Sequence, residues 1–142
     1  MKRVYLASPF FNSKELDTIQ AVEEILAEKD LHVFSPRLKN NQNKRDDIGT
    51  RLWSIETFTE DIKHLHWCEC VVVVYHGNYS DSGTAFEIGY AYATGKPIIL
   101  VHFGENSNLM CHEAAHANIT LEELKEYDFE KMPTSFYEGV ML

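Results

Sequence analysis

The sequence predicts a doubly wound α/β domain: a mostly parallel sheet of about five strands with helices on both faces. Short apolar runs alternate with segments of helical period along the whole chain, the pattern of repeated βα units. One run, CVVVVY at 70–75, is unbroken by any charged residue and carries four successive β-branched valines, which marks a central strand covered on both faces. The 142 residues suffice for one ordinary core and not for two, so residues 1–142 are expected to form a single domain.

The elements follow in order. RVYLA (3–7), closed by Ser8 and Pro9, reads as a buried first strand. From Lys14 to Lys29, Leu16, Ile19, Ala21, Val22, Ile25 and Leu26 recur at helical spacing, and Asn12 with Glu15 resembles a capping box. LHVFSP (31–36) is a second strand ended by proline. Residues 37–48, RLKNNQNKRDDI, are polar and turn-rich and predict the one long loop, a common place for binding residues. A helix is expected from Arg51 to His66, followed by the central strand. GNYSDSG (77–83) is a loop, and TAFEIGYAYATG (84–95) is a helix stopped by Gly95 and Pro97. PIILVHF (97–103) is a further buried strand. After GENSNLM (104–110) come a short helical stretch and a fifth strand near 116–119. TLEELKEY (120–127) is a last helix capped by Thr120 and Glu123.

Charge narrows the function classes. A net charge of -9 repels a phosphate backbone or an anionic membrane, so neither nucleic acid polymer nor membrane is an expected partner. No apolar run reaches a membrane span, and MKRVYLASPF enters a strand without a signal-like apolar region. Cys68, Cys70 and Cys111 are an odd number without framework spacing. Both features predict a cytoplasmic location.

HEAAH at 112–116 has the letters of a zinc-peptidase helix. Such a site needs a long helix and a third protein ligand, and here only a couple of turns fit between Met110 and Asn118. His64 and His66 end a helix, where cations suit the dipole, and Cys70 opens a buried strand. No metal site is expected.

In a doubly wound sheet the ligand sits beyond the carboxyl ends of the strands. There Asp81 precedes a helix and Glu87 falls in its first two turns. Small residues at 89, 91 and 93 are expected to let that helix lie close on the sheet. Asp61 lies on the preceding helix, and Tyr5 and Ser8 at the end of strand one. Taken singly, each has an ordinary role: Asp81 as a cap, Glu87 as a solvated helix residue, Asp61 as a partner of Lys63. Taken together, carboxylates in one crevice suit glycosyl transfer, with one as nucleophile and another as proton donor. LASPF offers no glycine-rich phosphate cradle.

YLASPFFN (5–12), DSGTAFEIGYA (81–91), NLM (108–110) and FYEG (136–139) resemble, in this order, the nucleoside 2-deoxyribosyltransferase family. The resemblance implies a flavodoxin-like fold and exchange of bases on 2'-deoxynucleosides with free nucleobases, without metal or organic cofactor. By position in these motifs Glu87 resembles the nucleophile, Tyr5 the phenol that holds it, and Asp61 and Asp81 the substrate-contacting aspartates. Asp61 is then the donor to the leaving base. Ser8, Pro9 and Phe10 fall in the YLASPF substrate turn, and Gln42 is a candidate for a base edge. Asn108 and Met110 resemble residues supplied by a neighbouring subunit, and the Leu142 carboxylate is a candidate for the same role. The resemblance therefore implies a homo-oligomer, hexameric or dimer-based. Two other readings stay open: a deoxynucleotide N-hydrolase on the same fold, and a nucleoside-binding module without catalysis.

Overall fold

The computed structural model describes residues 1–39, 45–77, 81–105 and 107–142. The elements run β1 (Lys2–Ala7), α1 (Ser13–Ala27), β2 (Leu31–Phe34), α2 (Pro36–Lys39), α3 (Arg51–Trp67), β3 (Cys70–Tyr75), α4 (Ser82–Ala93), β4 (Ile98–His102), α5 (Leu109–Ala114), β5 (Ala117–Ile119) and α6 (Leu121–Glu126). All strand pairs are parallel, in the order β2-β1-β3-β4-β5. No helix among the described residues is long and apolar enough to cross a membrane.

Strand alternation divides the core in two. Val4, Leu6, Cys70, Val72, Val74, Ile99 and Val101 pack against Ile19, Val22 and Leu26 of α1 and Leu124 of α6. Tyr5, Ala7, Val71, Val73, Tyr75, Ile98 and Leu100 face Leu65 of α3 and Ile88 and Ala91 of α4. Every side chain of β3 is buried, as its unbroken apolar run requires. Tyr5 lies opposite Val71 and Phe34 in register, so period-2 alternation directs its ring to the α3 and α4 side.

The expected elements are present, with differences at their edges. Pro36–Lys39, expected as the end of strand two and the start of the long loop, is a short helix whose Arg37 Nε donates to Glu23 Oε1 of α1 at 3.1 Å. The α1 cap works one position further upstream than a capping box. Asn12 Oδ1 accepts from Glu15 N at 2.9 Å, while Glu15 Oε1 accepts from Phe11 N at 2.9 Å. At α6 the capping box of Thr120 and Glu123 is complete. Of the small residues expected to let α4 approach the sheet, Ala91 alone is buried; Gly89 and Ala93 face outward.

Candidate active site

In the strand order β2-β1-β3-β4-β5 the winding reverses between β1 and β3, and doubly wound sheets hold their ligand crevice beyond the carboxyl ends of such a pair. Asp81 starts α4 there. Its Oδ2 accepts from Thr84 N at 2.9 Å and from Thr84 Oγ1 at 3.2 Å, a cap worth about 1 kcal/mol. Gly83 leaves room for that carboxylate, because a Cβ at 83 would lie 2.9 Å from Asp81 Oδ2. The cap fixes the start of α4, and Glu87 falls in its second turn. Tyr5, sealed within β1, donates its hydroxyl to Glu87 Oε2.

Electrostatics bind four residues into one unit. Burial pushes the Glu87 carboxyl up to about 8; the Tyr5 hydroxyl opposes that by stabilising the ionised form, and the charges of Asp61 and Asp81 add to it. The Tyr5 phenol is pushed far above its ordinary value by burial, then by Glu87 and Asp61, so it stays a donor at every physiological pH. The half-buried Asp61 of α3 is thus felt at both Tyr5 and Glu87. With its carboxyl at about 8, Glu87 holds a proton over much of the neutral range. Carboxyl groups so grouped can serve one as nucleophile and another as proton donor.

The other expected site residues fall elsewhere. Ser8 donates to Pro9 O at 2.8 Å within its own turn. Pro9 is buried. Phe10 packs on the α1-side core and stacks on Phe11 at 5.2 Å, which sets it on the sheet face opposite Tyr5. Gln42 lies outside the described residues. Asn108 caps α5, its Oδ1 accepting from Met110 N at 2.8 Å. With Met110, Ala85, Ile88, Gly89 and Tyr92 it lines a cleft of about 550 Å³ between α4 and α5. Leu142 O accepts from Leu109 N at 3.2 Å. Asn108, Met110 and Leu142 therefore gather around the start of α5, and Asn108 and Met110 share their cleft with the α4 residues on either side of Glu87.

HEAAH is not one helix. α5 ends at Ala114, and His116 lies beyond the Ala115 cap. His112 Nδ1 meets Asn118 Oδ1, and His116 Nε2 meets Met132 O, each at 2.7 Å. Among the described residues no group of three or more His, Cys, Asp or Glu side chains is arranged around a common point for a metal. His64 stacks on Phe34 at 3.6 Å.

Two neighbours of the cluster escaped the sequence reading. Thr84 holds Asp81 through both N–H and hydroxyl, and the spacing Asp-x-x-Thr at a helix start was the available signal. Phe58, one turn before Asp61, places its ring 6.2 Å from that of Phe86 beside Glu87. An exposed phenylalanine three residues from a candidate carboxylate was its only mark.

The model of a protein family described as nucleoside 2-deoxyribosyltransferase matches residues 4–124. A nucleoside deoxyribosyltransferase of Lactobacillus leichmannii is 26% identical over 99% of this chain and 98% of its own length. The solved structure of a 2-deoxyribosyltransferase from Bacillus psychrosaccharolyticus superposes with a TM-score of 0.87 at 36% identity, covering 95% of this chain and 98% of that one. A CMP N-glycosidase of Clostridium botulinum superposes with a TM-score of 0.57 at 26% identity, covering 89% of this chain and 95% of its own.

Proposed function

Because the chain belongs to the nucleoside 2-deoxyribosyltransferase family, we propose that it moves the deoxyribosyl group of a 2'-deoxynucleoside onto another purine or pyrimidine base, with Glu87 as nucleophile. The hydrogen bond between Tyr5 and Glu87 carries this reading, because it aims one carboxylate from α4 into the crevice and favours its ionised form.

The steps balance as two displacements. Glu87 attacks C1', the bond to the departing base breaks, and the proton held by the carboxylate cluster passes through Asp61 to that base. The incoming base then attacks C1' of the ester, returns its proton to Asp61 and frees Glu87. Two inversions retain configuration, which calls for attacking and donating groups about 5 Å apart. Tyr5 holds the Glu87 carboxylate, and Asp81 takes a sugar hydroxyl or a base edge. Ser8 and Pro9 shape the turn after β1, Phe10 packs beyond it on the α1 side, and Gln42 reads the base.

Asn108, Met110 and Leu142 complete the site of a neighbouring copy in a homo-oligomer, hexameric or dimer-based. The exposure of Met110, at 72%, supports this. No cofactor takes part in this scheme. Its place in the cell is salvage of bases and deoxynucleosides in the cytoplasm.

Incubation of thymidine with adenine tests the reading. New deoxyadenosine supports transfer. Free deoxyribose without a new nucleoside marks a hydrolase, and no turnover marks a binding module.

A further inference from the structure

The histidines of HEAAH have no part in that chemistry, yet both hold the C-terminal tail, residues 127–142. His116 Nε2 meets Met132 O, and His116 O accepts from Ser135 N at 3.4 Å. His112, 1% exposed, stacks on Tyr137 with ring centres 3.8 Å apart and planes 12° from parallel. A Cβ at Gly139 would crowd the Tyr137 ring at its hydroxyl end, so glycine lets the tail fold closely over that ring. Beyond it Leu142 N donates to Ser107 O at 3.0 Å and Leu142 O accepts from Leu109 N. Ser107 Oγ lies 3.0 Å from His102 Nε2 and 3.3 Å from Tyr137 OH. The stacked pair thus stands under the loop that presents Asn108 and Met110.

We infer that His112 is a positioning residue: as a neutral ring stacked on Tyr137 it seats the tail against loop 107–110, and its protonation releases the tail. The inference rests on the proposed function only for its effect on catalysis.

The hydrogen bonds fix the tautomer. Asn118 Nδ2 donates to His112 O and Ser135 O, each at 3.2 Å, which turns Oδ1 toward His112 as an acceptor. His112 therefore donates from Nδ1, and its buried Nε2 has no partner among the described residues. A proton added at Nε2 would bring a buried cationic donor without an acceptor. The groups facing the ring are His102 of β4, edge-on at 5.1 Å, Tyr75 of β3, edge-on at 5.2 Å, and Tyr137 of the tail. Cys111 and Glu113 flank it on α5. Burial holds His112 below its ordinary value, against the Asn118 bond and the Glu113 charge, and burial with His112 does the same to His102.

Release returns the ring to about 6.5, so the released state binds protons more tightly than the seated one. Seating is therefore constant above about pH 6.5. It weakens by up to about tenfold per pH unit below that, until the seated ring itself titrates.

Hydrogen exchange of the 133–142 peptide, expressed as protection factors at pH 7.5 and 5.5, reads the seating directly. Wild type should lose protection about tenfold at the lower pH while Val71–Val74 keep theirs. His112→Phe retains a stacking ring that cannot titrate and should be equally protected at both. His102→Phe should keep the wild-type drop, and Tyr137→Leu should be poorly protected at both. A drop that persists in His112→Phe, vanishes in His102→Phe or is missing from wild type overturns the inference. Deoxynucleoside KM should rise with the loss of protection. If protection changes and KM does not, the latch stands and the assignment of the tail to a neighbouring site fails.

Discussion

The hydroxyl of Tyr5 donates to the carboxylate of Glu87 across 82 positions of sequence, tying the first strand to the fourth helix. It lies at β1, where the winding of the sheet reverses toward β3. It also opposes burial, Asp61 and Asp81, which together favour the protonated acid. The ionisation of Glu87 is therefore set by competition between one hydroxyl and three unfavourable influences.

Removing that hydroxyl should move the acid limb of the rate. In Tyr5→Phe the Glu87 carboxyl rises above about 8, and less of the free enzyme is ionised at neutral pH. The expected result is a fall of about tenfold or more in kcat/KM at pH 7, with the acid limb displaced upward. A pH profile of kcat/KM, with circular dichroism to confirm folding, checks it. An unmoved limb would contradict the role given to Tyr5.

The same balance makes Glu87 costly to the fold. Its carboxyl rises from 4.5 to about 8, so between those values the folded chain binds more protons than the unfolded chain, and stability falls as pH rises. Glu87→Gln escapes the penalty. Its advantage over wild type should be absent below about pH 4.5, grow through the interval and level off above about 8 at a few kcal/mol or less. Thermal unfolding of both proteins across pH measures the gap. A constant difference would argue against a buried, raised Glu87.

Asp81 has a structural duty separable from chemistry. Asp81→Ala removes the acceptor of Thr84 N and should cost about 1 kcal/mol, visible as a lower denaturant midpoint. Asp81→Asn keeps the cap and should restore the midpoint while leaving transfer impaired. Equal recovery of stability and activity would reduce Asp81 to a cap.

Sugar choice follows from the proposed intermediate. A 2'-hydroxyl withdraws electrons from the positive charge developing at C1' and would be set against the Glu87 side of the pocket. Ribonucleosides should react with kcat/KM lower by at least about 100-fold, or about 2.7 kcal/mol, the upper part of the 1–3 kcal/mol that one unpaired hydroxyl costs. Paired assays of uridine and deoxyuridine with adenine decide it.

The fold was legible because its signals are local or periodic: CVVVVY could only be a doubly covered strand, and Thr120 with Glu123 could only cap a helix. The Tyr5, Glu87, Asp61 and Asp81 group was legible as positions at strand ends and by likeness to a family. The bond that unites the first two was not, since nothing local records a contact over 82 residues. The helix at Pro36–Lys39 was missed because a tertiary pair, Arg37 with Glu23, packs a polar stretch. HEAAH misled in the opposite sense: its letters fit a helix, but the chain turns at Ala115 and spends both imidazoles on the tail.

Peptide mass spectrometry of enzyme quenched during turnover of a 2'-fluoro-2'-deoxynucleoside bears most directly on Glu87 as nucleophile. The expected result is a fluorodeoxyribosyl mass on the peptide containing Ala85–Tyr90, localised to Glu87 and lost on addition of free base. The same mass on Asp61 or Asp81, or no adduct in a sample that is still producing nucleoside, would contradict it.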